Sequence, residues 1–243
     1  MNRVQAVILN LAAATMLATP LWAQTGAPSA QPSAAQAPAA GQVQPPQSGG
    51  PGVIVVEEDV VLPLIDAPEQ HFHAAQRYFA RGDQRDAASQ VRAGAALLEL
   101  EAGRHDAANK DGLTKAADRL NSLAAQLAKG KVKSAKELRA AFAQADLALA
   151  RHYHRMAQQS LEQNDQKHTG YWLEGASNSI SDAAAWSGQK LKAGTRSTLN
   201  GARTLGRKLQ TGAGWAVDKV KQGITGLGHE LDSLGSSGGS SSN

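Results

Sequence analysis

The sequence predicts an all-α protein. It reads as an up-and-down bundle of about five helices, preceded by a disordered linker and followed by a long glycine-rich amphipathic helix. Three observations carry this. All nine prolines of the 243-residue chain lie at or before Pro68, leaving 175 residues without one. Proline deletes a backbone donor and clashes with the preceding turn, so a stretch without it, rich in Ala, Leu, Gln, Lys and Arg, favours helix. Start and stop signals divide that stretch into segments, and apolar residues recur within each at steps of three or four.

Residues 1–23 have the pattern of a secretory signal peptide. Arg3 supplies a positive start, Val4 to Leu17 is mostly apolar, and Thr19 to Ala23 resembles a cleavage region, with the cut expected after Ala23. The expected location is therefore periplasmic or secreted. Residues 24–52 are almost entirely Ala, Pro, Gln, Ser and Gly, with too little apolar bulk to offset the entropy of ordering, so a disordered linker is expected. Residues 53–65 place Glu57, Glu58 and Asp59 between two β-branched runs. Pro63 weakens a hairpin reading, and an extended acidic-apolar strap is expected.

The helical bundle is expected over 66–188. Asp66-Ala67-Pro68-Glu69 combines an N-cap acid, a first-turn proline and a Glu at the capping-box position, and Gly82-Asp83 reads as a turn. Gly103 and Gly130 close the next two segments, and Ser134 to Glu137 forms a second capping box. Leu113, Ala116, Leu120, Leu123 and Leu127 make one buried stripe, and Leu138, Phe142, Ala145, Leu149, His152 and Met156 another. These signals place helices near 68–81, 84–102, 106–129, 134–163 and 168–188, and short connections favour antiparallel neighbours.

Sliding the chain by 82 residues pairs Ala75 with Ala157, Gly82 with Asn164, Asp83 with Asp165, Val91 with Leu173 and Leu98 with Ile180. Two helical hairpins with similar turns, or a duplication, explain this equally well. The first hairpin, Ala75 to Asp83 followed by Ala87-Ala88, resembles a tetratricopeptide-type helix–turn–helix. That family needs tandem units of about 34 residues. None follow here, so the resemblance implies no peptide-binding groove.

Residues 189–234 are expected to form one basic amphipathic helix. Cut every eleven residues, this segment aligns Leu191, Ala202, Ala213 and Ile224; Leu209, Val220 and Leu231; and Leu205, Ala216 and Leu227. Eleven residues over three turns keep such columns on one nearly straight stripe. From Ala183 to Val217 there are six basic residues and no acid. The spacing is similar in pattern to apolipoprotein-like and desiccation-type lipid-surface segments, apart from its eight glycines between Gln189 and Leu234. A tail over 235–243, Gly and Ser with one Asn, is expected to be disordered.

The candidate surface follows from this segment: Lys190, Lys192, Arg196, Arg203, Arg207, Lys208, Lys219 and Lys221, with Trp215 flanking the stripe. A basic amphipathic helix docks on protein, on an anionic membrane or on nucleic acid. Export and the absence of interleaved aromatics disfavour nucleic acid. The expected partners are thus an unidentified protein or a second copy, with an anionic membrane surface as the alternative.

Composition narrows the chemistry. With no cysteine, thiol nucleophiles, disulfides and thiolate metal sites are excluded. His71-Phe72-His73 and His152-Tyr153-His154 supply four imidazoles, a remote route to a His-mediated metal site. Residues two apart point about 200° from each other on a helix, which argues against a ready-made site. No nucleophile elbow, phosphate loop or dinucleotide fingerprint is present. No catalytic residue, metal site or cofactor is assigned, and a non-enzymatic structural or interaction module of the bacterial cell envelope is expected.

Overall fold

The structure, a computed structural model, describes residues 65–104 and 107–238, all within one compact unit, Ile54–Asn243. Among the described residues there are seven helices and no strand. They are α1 (Ala67–Ala80), α2 (Gln84–Gly103), α3 (Ala107–Ala128), α4 (Ala135–Glu162), α5 (Gln166–Ser187), α6 (Ala193–Thr211) and α7 (Val217–Gly238). The segments expected as signal peptide and linker, residues 53–64 of the expected strap, residues 105–106 and residues 239–243 lie outside the described residues. The five bundle helices fall within two residues of the limits expected from sequence.

One device ends five of the helices. At Gly82, Gly130, Gly188 and Gly212 the chain turns into the left-handed region, with φ of 87°, 65°, 72° and 67°, and Asn164 does the same at 59°. In each turn the following amide reaches back to close the helix end: Asp83 to Tyr78, Lys131 to Gln126, Asp165 to Ser160, Gln189 to Ala184 and Ala213 to Lys208, at 2.8–3.0 Å. This is the Schellman arrangement, which satisfies carbonyls that a helix end otherwise leaves without partners. Gly82 and Asn164 are the pair that the 82-residue shift aligns, and the next residues, Asp83 and Asp165, are both N-caps. Asparagine stands in for glycine because it tolerates the left-handed region best among side-chain-bearing residues.

Helix starts vary more. Ser134 Oγ accepts from the Lys136 amide at 3.1 Å, and Asp165 Oδ1 accepts from the His168 amide at 3.1 Å. Asp66 makes no side-chain cap bond; Pro68 in the first turn presets the backbone instead.

Consecutive helices pack on one another, and α4 also meets α1 and α7. Phe72 stacks on Phe142 at 4.6 Å, and Phe142 meets Trp186 edge-on at 5.1 Å. Tyr153 stacks on Trp172 at 5.6 Å. Three rings from α1, α4 and α5 therefore tie one end of the core, and a second stack ties α4 to α5 further along. Around them Leu98, Leu113, Leu120, Leu127, Leu138 and Leu173 are fully buried.

The single C-terminal helix expected over 189–234 does not form; Gly212 splits it into α6 and α7. A straight helix of those 46 residues would be about 69 Å long at 1.5 Å per residue, far longer than α4, whose 28 residues span about 42 Å. Reversal at Gly212 folds the segment back, so that both halves bury their apolar positions against the bundle. Leu199, Ala202 and Leu209 are buried from α6, and Val220, Ile224, Leu227 and Leu231 from α7. Ala213 and Ala216, which the eleven-residue alignment put in apolar columns, fall at the break and are exposed. Helix α7 continues to Gly238, four residues into the tail expected from Gly235, with Leu231 and Leu234 packed against the core.

Glycine makes this docking close. A Cβ on Gly170 of α5 would lie 2.5 Å from the Gly206 carbonyl oxygen of α6, and one on Gly206 would lie 2.7 Å from that of Gly170. The two helices thus cross backbone to backbone, where no side chain fits. Gly206→Ala is expected to destabilise the chain by about 1–3 kcal/mol, as over-packing does, despite a helix-propensity gain of about 1 kcal/mol. Gly201→Ala on the same helix meets nothing within 4 Å and should stabilise by up to about 1 kcal/mol. Urea unfolding of both variants checks this; changes of opposite sign are required.

Candidate functional site

Helices α6 and α7 divide the nine residues of the sequence-predicted surface into two groups. Lys190, Lys192, Arg196, Lys208, Lys219 and Lys221 are exposed. Arg203 is half-buried and turned inward, and Arg207, though exposed, pairs across the interface with Glu174 at 3.4 Å. Trp215 is half-buried in the α6–α7 connection. It helps line a cleft of about 500 Å³ with Leu161, Leu209, Val217, Lys221 and Ile224.

Arg203 is a docking residue. Its Nε donates to Asn178 Oδ1 at 2.8 Å, and its Nη2 donates to the Ser177 carbonyl at 3.0 Å and to Ser181 Oγ. Asn178 in turn donates to Asp66 at 3.4 Å. One guanidinium therefore joins α6 to α5 and, through Asn178, to the residue that opens α1. Burial, with the Arg207 charge as a smaller cause, pulls this guanidinium below its usual range, and neighbouring Asp182 and Glu174 act in the opposite sense. Gln210 reinforces the same seam, donating to Glu174 at 3.0 Å.

Beside this network lies a group of acids that the sequence reading did not single out. Glu69 accepts from Trp186 Nε1 at 3.0 Å and from His73 Nε2 at 2.9 Å. Asp146 is 2% exposed, and its Oδ2 has no hydrogen-bond partner. Burial, then the charges of Glu69 and Asp182, push Asp146 well above the usual carboxylate range. Asp182 is pushed up to about 7 by burial and by Glu69 and Asp66, with Arg203 and His73 opposing. Glu69 is also raised, first by burial. A signal existed: Asp146 follows Phe142 by four and precedes Leu149 by three, the spacing of the buried face.

The two His-aromatic-His segments do not converge. His71 donates to Gln90 at 2.7 Å, His73 to Glu69, His152 to Glu101 at 3.2 Å and His154 to the Ile224 carbonyl at 2.9 Å. Among the described residues no group of three or more His, Asp or Glu is placed to hold a metal ion. Phe72 and Tyr153, between the histidines, are core residues. His154 instead pins α4 to α7, and burial lowers its pKa, with the bond to Ile224 opposing.

The site defines a class of helical protein in which a cationic C-terminal hairpin is locked onto a bundle by small residues and one inward arginine. No family model, curated protein or solved structure matches the chain. Among the described residues no helix is long and apolar enough to cross a membrane.

The acids set a pH dependence. A carboxyl whose folded pKa is raised binds protons more tightly folded than unfolded, so its contribution is present at low pH and lost as pH rises through the folded value. For Asp182 that window runs from about 4, the unfolded value, to about 7. Asp146 and Glu69 act in the same direction, whereas His154, with a lowered pKa, favours unfolding below about 6.5. Melting temperature is expected to fall as pH is raised from about 4.5 to about 7.5. Asp182→Asn should flatten that slope; an unchanged slope in the variant would remove Asp182 from the account.

Proposed function

We propose that this chain is an exported, non-enzymatic helical protein of the bacterial cell envelope, acting as a structural or protein-interaction module. The observation that carries the reading is the fate of the C-terminal apolar stripe. Leu209, Val220, Ile224, Leu227 and Leu231 are spent inside the protein's own core, while Lys190, Lys192, Arg196, Lys208, Lys219 and Lys221 stay in solvent. A cationic face without an apolar stripe suits a partner that offers acidic groups at its surface, including a second copy, more than it suits insertion among acyl chains. Association of this kind is expected to weaken steeply with salt.

A peripheral membrane role is the second reading, favoured by the corner at the α6–α7 connection. There Val217 is 44% exposed beside Trp215, Lys219 and Lys221, a cationic and apolar combination suited to an anionic interface. Co-sedimentation with neutral and anionic vesicles separates the two readings, using the chain from Gln24 and a truncation ending at Gly188, with circular dichroism on both. The interaction-module reading expects no pelleting, no helix gain on adding lipid, and a truncation that melts at lower temperature. Pelleting of the longer chain alone with anionic vesicles would transfer the assignment to the membrane.

A further inference from the structure

A concentration of positive charge on the bundle lies away from the residues that the C-terminal sequence pattern picks out. A cleft of about 340 Å³ runs between α3 and α4 and is closed at one side by Leu234 and Gly235 of α7. Four cations line it, Lys115, Arg119, Arg151 and Arg155, and its lining includes no acid. A second cleft, of about 450 Å³, adjoins it and shares Gln144, Leu147 and Leu234. Its lining is dominated by Ala140, Ala143, Ala183, Leu147, Trp186 and Leu234, with Lys136 and Arg139 as its cations and again no acid. Both volumes fall within the range of small-molecule sites, about 300–1,000 Å³.

The cationic end is built rather than incidental. Arg119 is held across the α3–α4 interface by a 2.6 Å bond to Gln144 Oε1. Arg151 lies over the backbone of α7 at Gly235, where a Cβ would come within 2.5 Å of its Nη2. Arg155, half-buried, sits one turn along α4 from Arg151, and burial together with the Arg151 charge lowers its pKa. An anion set between guanidinium groups one turn apart accepts charge-assisted hydrogen bonds from them.

We propose that these adjoining clefts form a binding site for a single amphiphilic anion, an acyl chain bearing a phosphate or carboxylate head group. The head group lies against Arg119, Arg151 and Arg155, and the chain passes Leu147 and Leu234 toward Ala143 and Trp186. The division of the lining argues for this occupant: one end gathers four cations beside Leu147, Ala148 and Leu234, and the other is more apolar, with Lys136 and Arg139 as its cations. A hydrophilic anion would use only the first, and a neutral apolar molecule only the second.

The test is isothermal titration of the chain from Gln24 with alkyl phosphates of six, eight and twelve carbons, all below their micelle concentrations. Inorganic phosphate, dodecyl maltoside and anionic vesicles are the comparison ligands. One-to-one binding is expected, strengthening about fourfold per added methylene while the chain still fits the cleft. Inorganic phosphate and dodecyl maltoside should bind far more weakly. Arg151→Gln, at an exposed position, and Arg155→Gln, at a half-buried one, should each weaken dodecyl phosphate binding about tenfold or more, with an unchanged circular dichroism spectrum. Inorganic phosphate binding as tightly as dodecyl phosphate would reduce the site to an anion pocket and overturn the proposal. Equal binding of dodecyl maltoside, insensitivity to both arginine variants, or binding only to vesicles would overturn it as well.

Discussion

Eight glycines between Gln189 and Leu234 cost an isolated helix on the order of 8 kcal/mol relative to alanine, so this part of the chain is helical only where something packs against it. The crossing of α5 and α6 at Gly170 and Gly206 turns that weakness into contact. Each glycine removes the side chain that would hold the other backbone away. Once α6 is seated there, Arg203 reaches Ser177 and Asn178, and the reversal at Gly212 can bring α7 back onto α4. Gly226 and Gly228 repeat the device on α7, the first against Thr198 and the second against His154. Gly206, Gly226 and Gly228 thus both weaken the helices in isolation and allow their close packing.

This constraint also decides what the surface is. Apolar side chains of α6 and α7 are committed to the core, and their basic residues divide between the interface and the solvent. Arg203 and Arg207 face the acids and carbonyls of α5; the lysines face outward. Acids are treated in the opposite way, with Glu69, Asp146 and Asp182 gathered in the seam of α1, α4 and α5 and held toward their neutral forms by burial. Charge burial on this scale is costly unless the group is paired or neutral. Here Arg203 is instead satisfied by hydrogen bonds to Asn178, Ser177 and Ser181, and burial holds Asp146 toward its neutral form.

The five bundle helices were legible because their limits are written in local chemistry. Glycine or asparagine in the left-handed region ends four of them, and Ser134 and Asp165 cap two of the starts. The eleven-residue alignment found the buried positions Leu209, Val220 and Leu231 but not the break between them. Gly212 carries the same signal as Gly82 and Gly130, yet the apolar columns on either side of it read as continuous. A periodic pattern reports which face is apolar; it does not report whether a partner of sufficient length exists to cover that face. Asp146 was hidden for a related reason, since one acid within an apolar stripe becomes informative only when the helices facing it prove to carry acids as well.

The cationic clefts show where sequence reading meets its boundary. Lys115 and Arg119 come from α3, Arg151 and Arg155 from α4, and the wall against Arg151 from Gly235 of α7. Each residue is ordinary on its own helix, where a basic side chain on the outer face reads as solvated surface. Their convergence depends on α7 returning along α4, hence on the Gly212 reversal and the seating of α6 at Gly206. The candidate ligand site and the C-terminal hairpin are therefore not independent features. Loss of the α5–α6 crossing would free α7, remove Leu234 and Gly235 from the cleft, and leave Arg151 and Arg155 on an open helix face with the apolar channel beside them unroofed.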